Sequence, residues 1–464
     1  MSCTLWPNGP QQIKKQIIPD GILERDFGLR PAASRKMRES LDLWYQLYIN
    51  HPPWESECVR PLGLPGAIGR ELARSVLTEF SAAFSGGARD TYLNEQFQLA
   101  AKSFSKYLEQ GLCLGGIALK PFQDNGRILV EGSCASFVPT QFDGAGKCVG
   151  GVFKSAPIRQ GRDWFVRLEV HSFQPGGLYT VENCAYKSSE DGHIGARASL
   201  AAVKAWEGLE PVVWIDGLTG PLFACFKPPR ANNLEPDSPL GVSVYAGEVT
   251  DLLRQADEQW ERLRWEYESG ERKIFSDATQ VDESKISDRL FLKGMFTAEG
   301  NLFSEFSPAF RNAELYEGFQ YTLKIIEFCT GLAFGTISDP QTVEKTATEQ
   351  IMTRHRQHLT VKDIQTAFQE TLDGLLYAMD ALCSLNRLAP EGGYQAAYNW
   401  GDGVLDDPDT RRQNMAMDLQ LVRENLMSRT AFVMKWEKVD EAEAKRRLAE
   451  IDADTGEDPP MEEE

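Results

Sequence analysis

The sequence predicts an α+β protein, and three observations carry that expectation. Apolar residues recur at spacings of three and four through much of residues 40–110 and again from 248 onward. Between about residues 113 and 226 the period changes to two, as in an antiparallel sheet. From 346 to 389 hardly a helix breaker occurs. A helix of about 40 residues spans about 60 Å, longer than a compact domain needs.

The 464 residues allow about three domains and a sizeable core. With 42% hydrophobic and 25% charged residues the composition is that of an ordinary globular protein. No run of about 20 apolar residues predicts a membrane span, and the opening MSCTLWPNGPQQIKKQ lacks the apolar stretch of a signal peptide. Nine cysteines are scattered and never form a CxxC pair, which points to free thiols in a reducing cytoplasm and away from a zinc ribbon. The net charge of −19 lacks the basic footprint of a protein that grips DNA. Either DNA is no ligand, or it is one the protein must not hold.

In order, residues 1–60 are turn-rich around one helical patch, Leu41, Leu43, Trp44, Leu47 and Tyr48. Leu62 to Phe80 carries Ile68, Leu72, Val76 and Phe80 at spacing four, an amphipathic helix; Leu93, Phe97, Ala100, Phe104 and Leu108 predict a second, stopped at Gly111. Asp124-Asn-Gly126 between two apolar runs predicts a hairpin, and Phe165–Phe173 alternates with Val166, Leu168 and Val170 on one face. Phe137–Phe142, Cys148–Phe153 and Leu178–Ala185 are further strands. The Pro- and Asn-rich stretch 227–243 reads as a linker. A helix follows from Glu248 to Ser269, with Val249, Leu252, Ala256, Trp260, Leu263 and Tyr267 as its apolar stripe. Arg254, Asp257, Glu258, Glu261, Arg262 and Glu266 form the polar face. Short β-like runs at Lys273–Phe275 and Arg289–Phe291 precede a helix from Ala313 to Thr330. After a turn-rich loop, Thr346-Ala-Thr-Glu349 has the form of a capping box that opens the long helix. Its first half is polar nearly all round; its second carries Val361, Ile364, Phe368, Leu372, Leu375, Met379 and Leu382 on one face, with Gly374 marking a bend or a close contact. Beyond Pro390-Glu-Gly-Gly393 come a short strand (Tyr398–Trp400, Gly403–Leu405), a helix from Pro408 to Asn425, N-caps at Ser428 and Asp440, and an acidic, disordered tail.

Motifs for chemistry are weak. Gly144-Ala-Gly-Lys147 has the look of a phosphate loop, yet Cys148 stands where a magnesium-holding hydroxyl belongs, and a turn between strands is the plainer reading. His355 and His358 share a helix face without a third ligand. Asp402, Asp406, Asp407 and Asp409 lack the spacing of a calcium loop, and a capping role at Pro408 explains Asp406 or Asp407 better. Trp260 and Trp265 could offer bases a stacking surface, but Trp260 lies in the apolar stripe, which favours packing on the following helix or a neighbouring subunit. No metal and no cofactor is expected.

The order helix, small β excursion, helix, loop, very long helix resembles portal proteins of tailed double-stranded-DNA bacteriophages, the siphophage type from Gram-positive hosts. Glu344-Lys-Thr-Ala-Thr-Glu349 preceded by Gly335-Thr-Ile-Ser-Asp339 carries the likeness most clearly. Phe223–Asn233, Pro239–Ser243, Gly270–Phe275 and Phe303–Phe310 add to it, so that it covers most of 40–450. The resemblance implies a portal fold: an α/β wing (1–246), a first stem helix (247–272), a β-containing clip (273–311), a second stem helix (312–333), a tunnel loop (334–345), a long kinked helix (346–389), a return strand to the wing (390–407) and crown helices with the acidic tail (408–464). It implies a homododecameric ring, the head–tail connector at one capsid vertex, through which viral genome packaging and ejection occur. Its partners would be further copies of itself, major capsid protein and scaffold, the terminase large subunit, head-completion (adaptor) proteins, and double-stranded DNA passing non-specifically, with no membrane. The chain would not be an enzyme, since ATP hydrolysis belongs to the terminase docked on the clip. It would reside in the virion, and in the host cytoplasm during assembly. Twelve copies at −19 each carry −228, a channel that repels phosphate. Ser338, Gln341 and Lys345 are expected to approach the DNA path, and Arg354 and Arg356 either to line the tunnel or to bridge subunits. Two rival readings are a nucleotide-dependent enzyme acting through Gly144–Lys147 and another virion structural protein of the tail or head-completion kind.

Overall fold

The computed structural model describes residues 18–134, 136–269, 273–277, 291–294, 303–306, 309, 311–340, 347–401, 408–424, 426–437 and 441–455. They form an α+β protein in two compact units, one reaching to residue 400 and the other beginning at 401.

The first unit opens with α1 (Asp20–Phe27) and α2 (Arg35–Tyr48), the latter capped by Ser34, whose hydroxyl accepts the Met37 amide at 3.1 Å. Helix α3 (Leu64–Leu77) buries Ile68, Leu72 and Val76 as their spacing predicts. Strand β1 (Ser81–Gly86) follows, then α4 (Ala88–Ala101) and α5 (Phe104–Leu114). Gly111 does not stop α5 as expected. It lies inside the helix, where a Cβ would come within 2.6 Å of the Phe226 ring, so a close approach and not a break requires glycine there.

The alternating region is antiparallel throughout. Strands β2 (Ile117–Asp124) and β3 (Arg127–Ser133) meet at a two-residue turn in which Asn125 and Gly126 both have positive φ, 49° and 76°. Strands β4 (Phe137–Phe142), β5 (Cys148–Lys154), β6 (Ile158–Gln160), β7 (Asp163–Phe173), β8 (Tyr179–Ser188), β9 (Ala196–Ala198) and β10 (Val212–Ile215) form a seven-stranded sheet with main order β10-β8-β7-β5-β4. One of its faces buries Val152, Val166, Leu168 and Val170 under Ile22 and Leu23 of α1. Strand β11 (Ala224–Phe226) completes the smaller sheet, β11-β2-β3. The stretch 227–243 is no exposed linker at its end: Val242 and Ser243 are buried, and the Tyr245 hydroxyl just beyond donates to the Trp44 carbonyl at 3.3 Å.

Helix α6 (Glu248–Ser269) leads to a three-stranded sheet of β12 (Lys273–Asp277), β13 (Phe291–Gly294) and β14 (Phe303–Phe306), in order β13-β12-β14. The third strand was not expected, and β12 pairs with β13 in parallel. Helix α7 (Asn312–Thr330) packs back on α6, and α8 (Ala347–Leu385) runs 39 residues. The capping-box residue Thr346 lies outside the described residues, as do Gly270, residues 402–407 and Asp440. Gly374 marks a close contact: a Cβ there would meet the Ala224 side chain at 3.3 Å. Strand β15 (Tyr394–Asn399) then pairs with β1, Ser81 opposite Asn399. Phe80, Phe97, Phe104, Phe368, Tyr398 and Trp400 join through tilted and edge-to-face ring contacts beside that pair, tying the start and end of the unit together.

The second unit comprises α9 (Pro408–Arg423), α10 (Arg429–Glu437) and α11 (Glu441–Thr455). Ser428 caps α10 by accepting the Ala431 amide at 3.1 Å. Asp418 receives the Trp436 indole N–H at 2.9 Å and pairs with Lys435. Helix α11 takes in Asp452 and Asp454, the first two acids of the expected tail. No helix among the described residues is long and apolar enough to cross a membrane.

Candidate functional site

The region that sequence singled out is built on the α6–α7 pair. Trp260 packs on Phe319 with ring centroids 5.7 Å apart, as the apolar stripe predicts, but Tyr267 is exposed and Leu253 takes the core position expected of Leu252. Two residues of the expected polar face are buried. Asp257 accepts the Trp54 indole N–H at 2.8 Å and the Leu62 amide at 2.9 Å; burial pushes its carboxyl up, and those bonds oppose the shift. Glu266 accepts the Arg311 amide at 3.1 Å and its guanidinium at 2.8 Å, which holds the carboxyl below its ordinary range and locks the start of α7 to the end of α6. The Tyr267 hydroxyl donates to Asn312 at 2.7 Å beside it. Away from this seam the pair leaves aromatic side chains in the open: Trp265 is 62% exposed and Tyr321 66%, with Phe328 also exposed, and Phe334 is exposed in the loop after α7.

Helix α7 ends at Gly331 with φ 78°, and a Cβ there would fall 2.3 Å from the Thr360 hydroxyl of α8. The loop that follows is wound around Glu327, a carboxylate with no exposed surface. Its Oε1 accepts the amides of Ile337 (2.7 Å) and Ser338 (2.9 Å), its Oε2 accepts the Ser338 hydroxyl (2.8 Å), and the Gly335 amide reaches both oxygens at 3.1 Å. The Asp339 amide donates to Gln320 at 2.6 Å, so residues 335–339 fold back on α7.

Ser338 is therefore 5% exposed and its hydroxyl is engaged with Glu327, a loop anchor in this chain and not the open group expected on a DNA path. Gln341 and Lys345 lie outside the described residues, as does the side chain of Arg354. The Arg356 guanidinium lies over the Phe328 ring, 3.7 Å from its centroid, joining α8 to α7. Sequence reasoning missed Glu327. Its one signal was an acid among Leu323, Ile326 and Thr330 on the buried side of a helix.

Elsewhere, Gly144–Lys147 is a turn: the Asp143 carboxylate accepts the amides of Ala145 (2.9 Å) and Lys147 (2.8 Å), two donors that a phosphate loop would keep free. No group of three metal-ligating side chains occurs among the described residues; the side chains of His355 and Asp409, and Asp402, Asp406 and Asp407 entirely, lie outside them. Two other features stand out. The Glu169 carboxylate, on the inner face of β7, pairs with Lys120 of β2 (2.9 Å), Arg167 (2.8 Å) and His171 (2.8 Å), and His171 bonds the Tyr179 hydroxyl (2.8 Å). Burial alone would raise that carboxyl, but Lys120, His171 and Arg167 overcome it and hold it well below the usual range; burial lowers His171, which Glu169 opposes. This network links the two sheets. Beside it a cleft of about 1360 Å³ opens between α2, the two sheets and α8, lined among others by Tyr45, Phe137, Lys147, Cys148, Cys225 and Glu370. No protein-family model and no curated protein matches this chain.

Proposed function

We propose that the chain is a portal protein of a tailed double-stranded-DNA bacteriophage, a ring-forming conduit for genome packaging and ejection. The observation that carries this reading is the succession α6, three-stranded sheet, α7, folded loop and 39-residue α8. In that reading α6 and α7 are the stem, β12–β14 belong to the clip, residues 334–345 form the tunnel loop, and the second unit belongs to the crown.

The exposed side chains support it. A two-helix stem that left Trp265, Tyr321 and Phe328 in water would spend apolar area for nothing, whereas heterologous contacts in a closed ring cover such a face. The net charge of −19 suits a channel through which a duplex slides without being held. With Ser338 committed to Glu327, the loop's approach to DNA rests on the residues after Asp339.

Native mass spectrometry of the purified chain, with negative-stain imaging of the same sample, tests the reading. Rings of about a dozen subunits with a central hole are expected, and a stable dimer or trimer would overturn it. Within intact rings, shortening the loop should impair DNA packaging; normal packaging would remove the loop assignment and leave the ring.

A further inference from the structure

Strand β10 ends the main order of the seven-stranded sheet, and among the described strands it pairs with β8 alone. Val212 lies opposite Glu182 and Ile215 opposite Tyr179. The Asn183 amide donates to the Pro211 carbonyl at 2.8 Å, so residues 211, 213 and 215 turn their backbone groups towards β8. Val212 and Trp214 therefore present an N–H and a C=O each to the outside, and no hydrogen bond among the described residues takes them up. The strand at the sheet's other end, β4, is guarded: Pro139 stands in it, and the Pro139 carbonyl accepts the Ala32 amide at 2.9 Å. On β10 nothing comparable protects the edge, and Trp214 is 65% exposed beside an exposed Val213. Acids bracket the strand. Glu207, Glu210 and Asp216 are all exposed, Glu182 faces Val212 from β8, and residues 205–226 contain neither Lys nor Arg.

We propose that β10 is a docking edge for another protein, one that adds an extended segment as a further strand, with a basic side chain at each end and apolar side chains between. In the antiparallel register the partner residues opposite Trp214 and Val212 each exchange two backbone hydrogen bonds with β10. Basic side chains at the two ends then meet Asp216 and Glu210, and the Trp214 ring covers the side chain opposite it. A second copy of this chain fits poorly. The antiparallel register that uses every outward group of both strands sets Val212 of one copy opposite Trp214 of the other. Glu210 then falls opposite Asp216 at both ends, and like charges directly opposite destabilise a strand pair. The acids thus turn away self-pairing and favour a basic strand. The edge is open in the single chain, so its use does not depend on ring formation.

The test mixes the full-length chain with a synthetic peptide, Lys-Thr-Val-Thr-Val-Thr-Lys, with blocked ends and a photo-crosslinking benzophenone beyond its last lysine. After irradiation and trypsin, mass spectrometry should find the adduct on the fragment 205–230, cut after Lys204 and Arg230. Methylating the amide nitrogens of the two valines, which face β10, should abolish the adduct. Methylating those of the first two threonines, which face away, should leave it. Both methylated peptides keep the same charge, so the pair separates strand addition from attraction of a basic peptide to an acidic surface. A peptide with Glu in place of both lysines should label at least about tenfold less, and Glu210→Lys with Asp216→Lys should reverse that preference. Trp214→Pro removes one outward N–H and leaves the bonds to β8, and should weaken labelling about tenfold. Should a variant misfold, the four peptides on the unaltered chain decide alone. No adduct on 205–230, equal adducts from the two methylated peptides, or equal labelling by the Lys and Glu peptides would each overturn the assignment.

Discussion

Glu327 is where a single substitution tests how the loop after α7 is held. Glu327→Ala would strip acceptors from the amides of Gly335, Ile337 and Ser338 and from the Ser338 hydroxyl. A buried donor left without a partner costs about 1–3 kcal/mol. Ser338 is buried and keeps that full cost, while Gly335 and Ile337 are half-buried and recover part of theirs from water. The sum comes to about 4 kcal/mol. Glu327→Gln keeps the shape: its carbonyl can take the place of Oε1 and hold Ile337 and Ser338, and its amide can donate to the Ser338 hydroxyl, which then reverses its role. What it loses is the charge on the remaining bonds, about 1–1.5 kcal/mol. Urea unfolding of both variants measures the totals, and hydrogen exchange of the peptide covering residues 331–340 locates them. Alanine should speed exchange there far more than glutamine does, with the rest of α7 unaffected. Equal effects from the two variants, or unchanged exchange with alanine, would refute the account of a hydrogen-bonded clamp.

Glu169→Gln should destabilise the first unit by about 3–5 kcal/mol in urea unfolding, because it leaves the buried Lys120 and the half-buried Arg167 beside a neutral group. Stability should also fall with acid. His171 is lowered from 6.5 and Glu169 from 4.5, so the unfolded chain binds protons first at both sites, and the loss begins as the pH drops below about 6.5 and deepens below about 4.5; a flat pH profile from 7 to 4 would contradict this. Gly111→Ala should cost about 1–3 kcal/mol by overpacking against Phe226, whereas Gly374→Ala, whose Cβ meets Ala224 at 3.3 Å, should stay within about 0.5 kcal/mol because helix propensity offsets the tight contact. Thermal melts of the two variants should separate clearly.

What the sequence made legible is what depends on neighbours in the chain. Asp124-Asn-Gly126 specifies its turn locally, because Asn and Gly tolerate positive φ, and the register of β2 on β3 follows. The alternation of Val166, Leu168 and Val170 and the helical spacing from Val361 to Met379 likewise report a buried face directly. Strand β1 was illegible: Ser-Ala-Ala-Phe-Ser-Gly has small side chains and no alternation, and its partner β15 lies some 300 residues away in sequence. The buried acids failed for another reason. Pattern reading assigns Asp257, Glu266 and Glu327 to water because they are charged. Each is kept out of water by donors whose identity depends on tertiary structure: the Trp54 indole, the Arg311 guanidinium and three loop amides.

The same distinction bears on where a site can be in this chain. The motifs that looked chemical in the sequence turn inward: the Gly144–Lys147 amides bond Asp143, and the Ser338 hydroxyl bonds Glu327. Their polar capacity is taken up by the fold, so they position the backbone and have little left for a ligand. The groups left open are of the opposite kind, large aromatic side chains on the α6–α7 pair. Exposed aromatic surface is covered by association, with little demand on hydrogen-bond geometry. Among the described residues the polar groups of these motifs are taken up by the fold while aromatic surface on the α6–α7 pair stays open, and it is this imbalance, more than any one residue, that supports the proposed assembly.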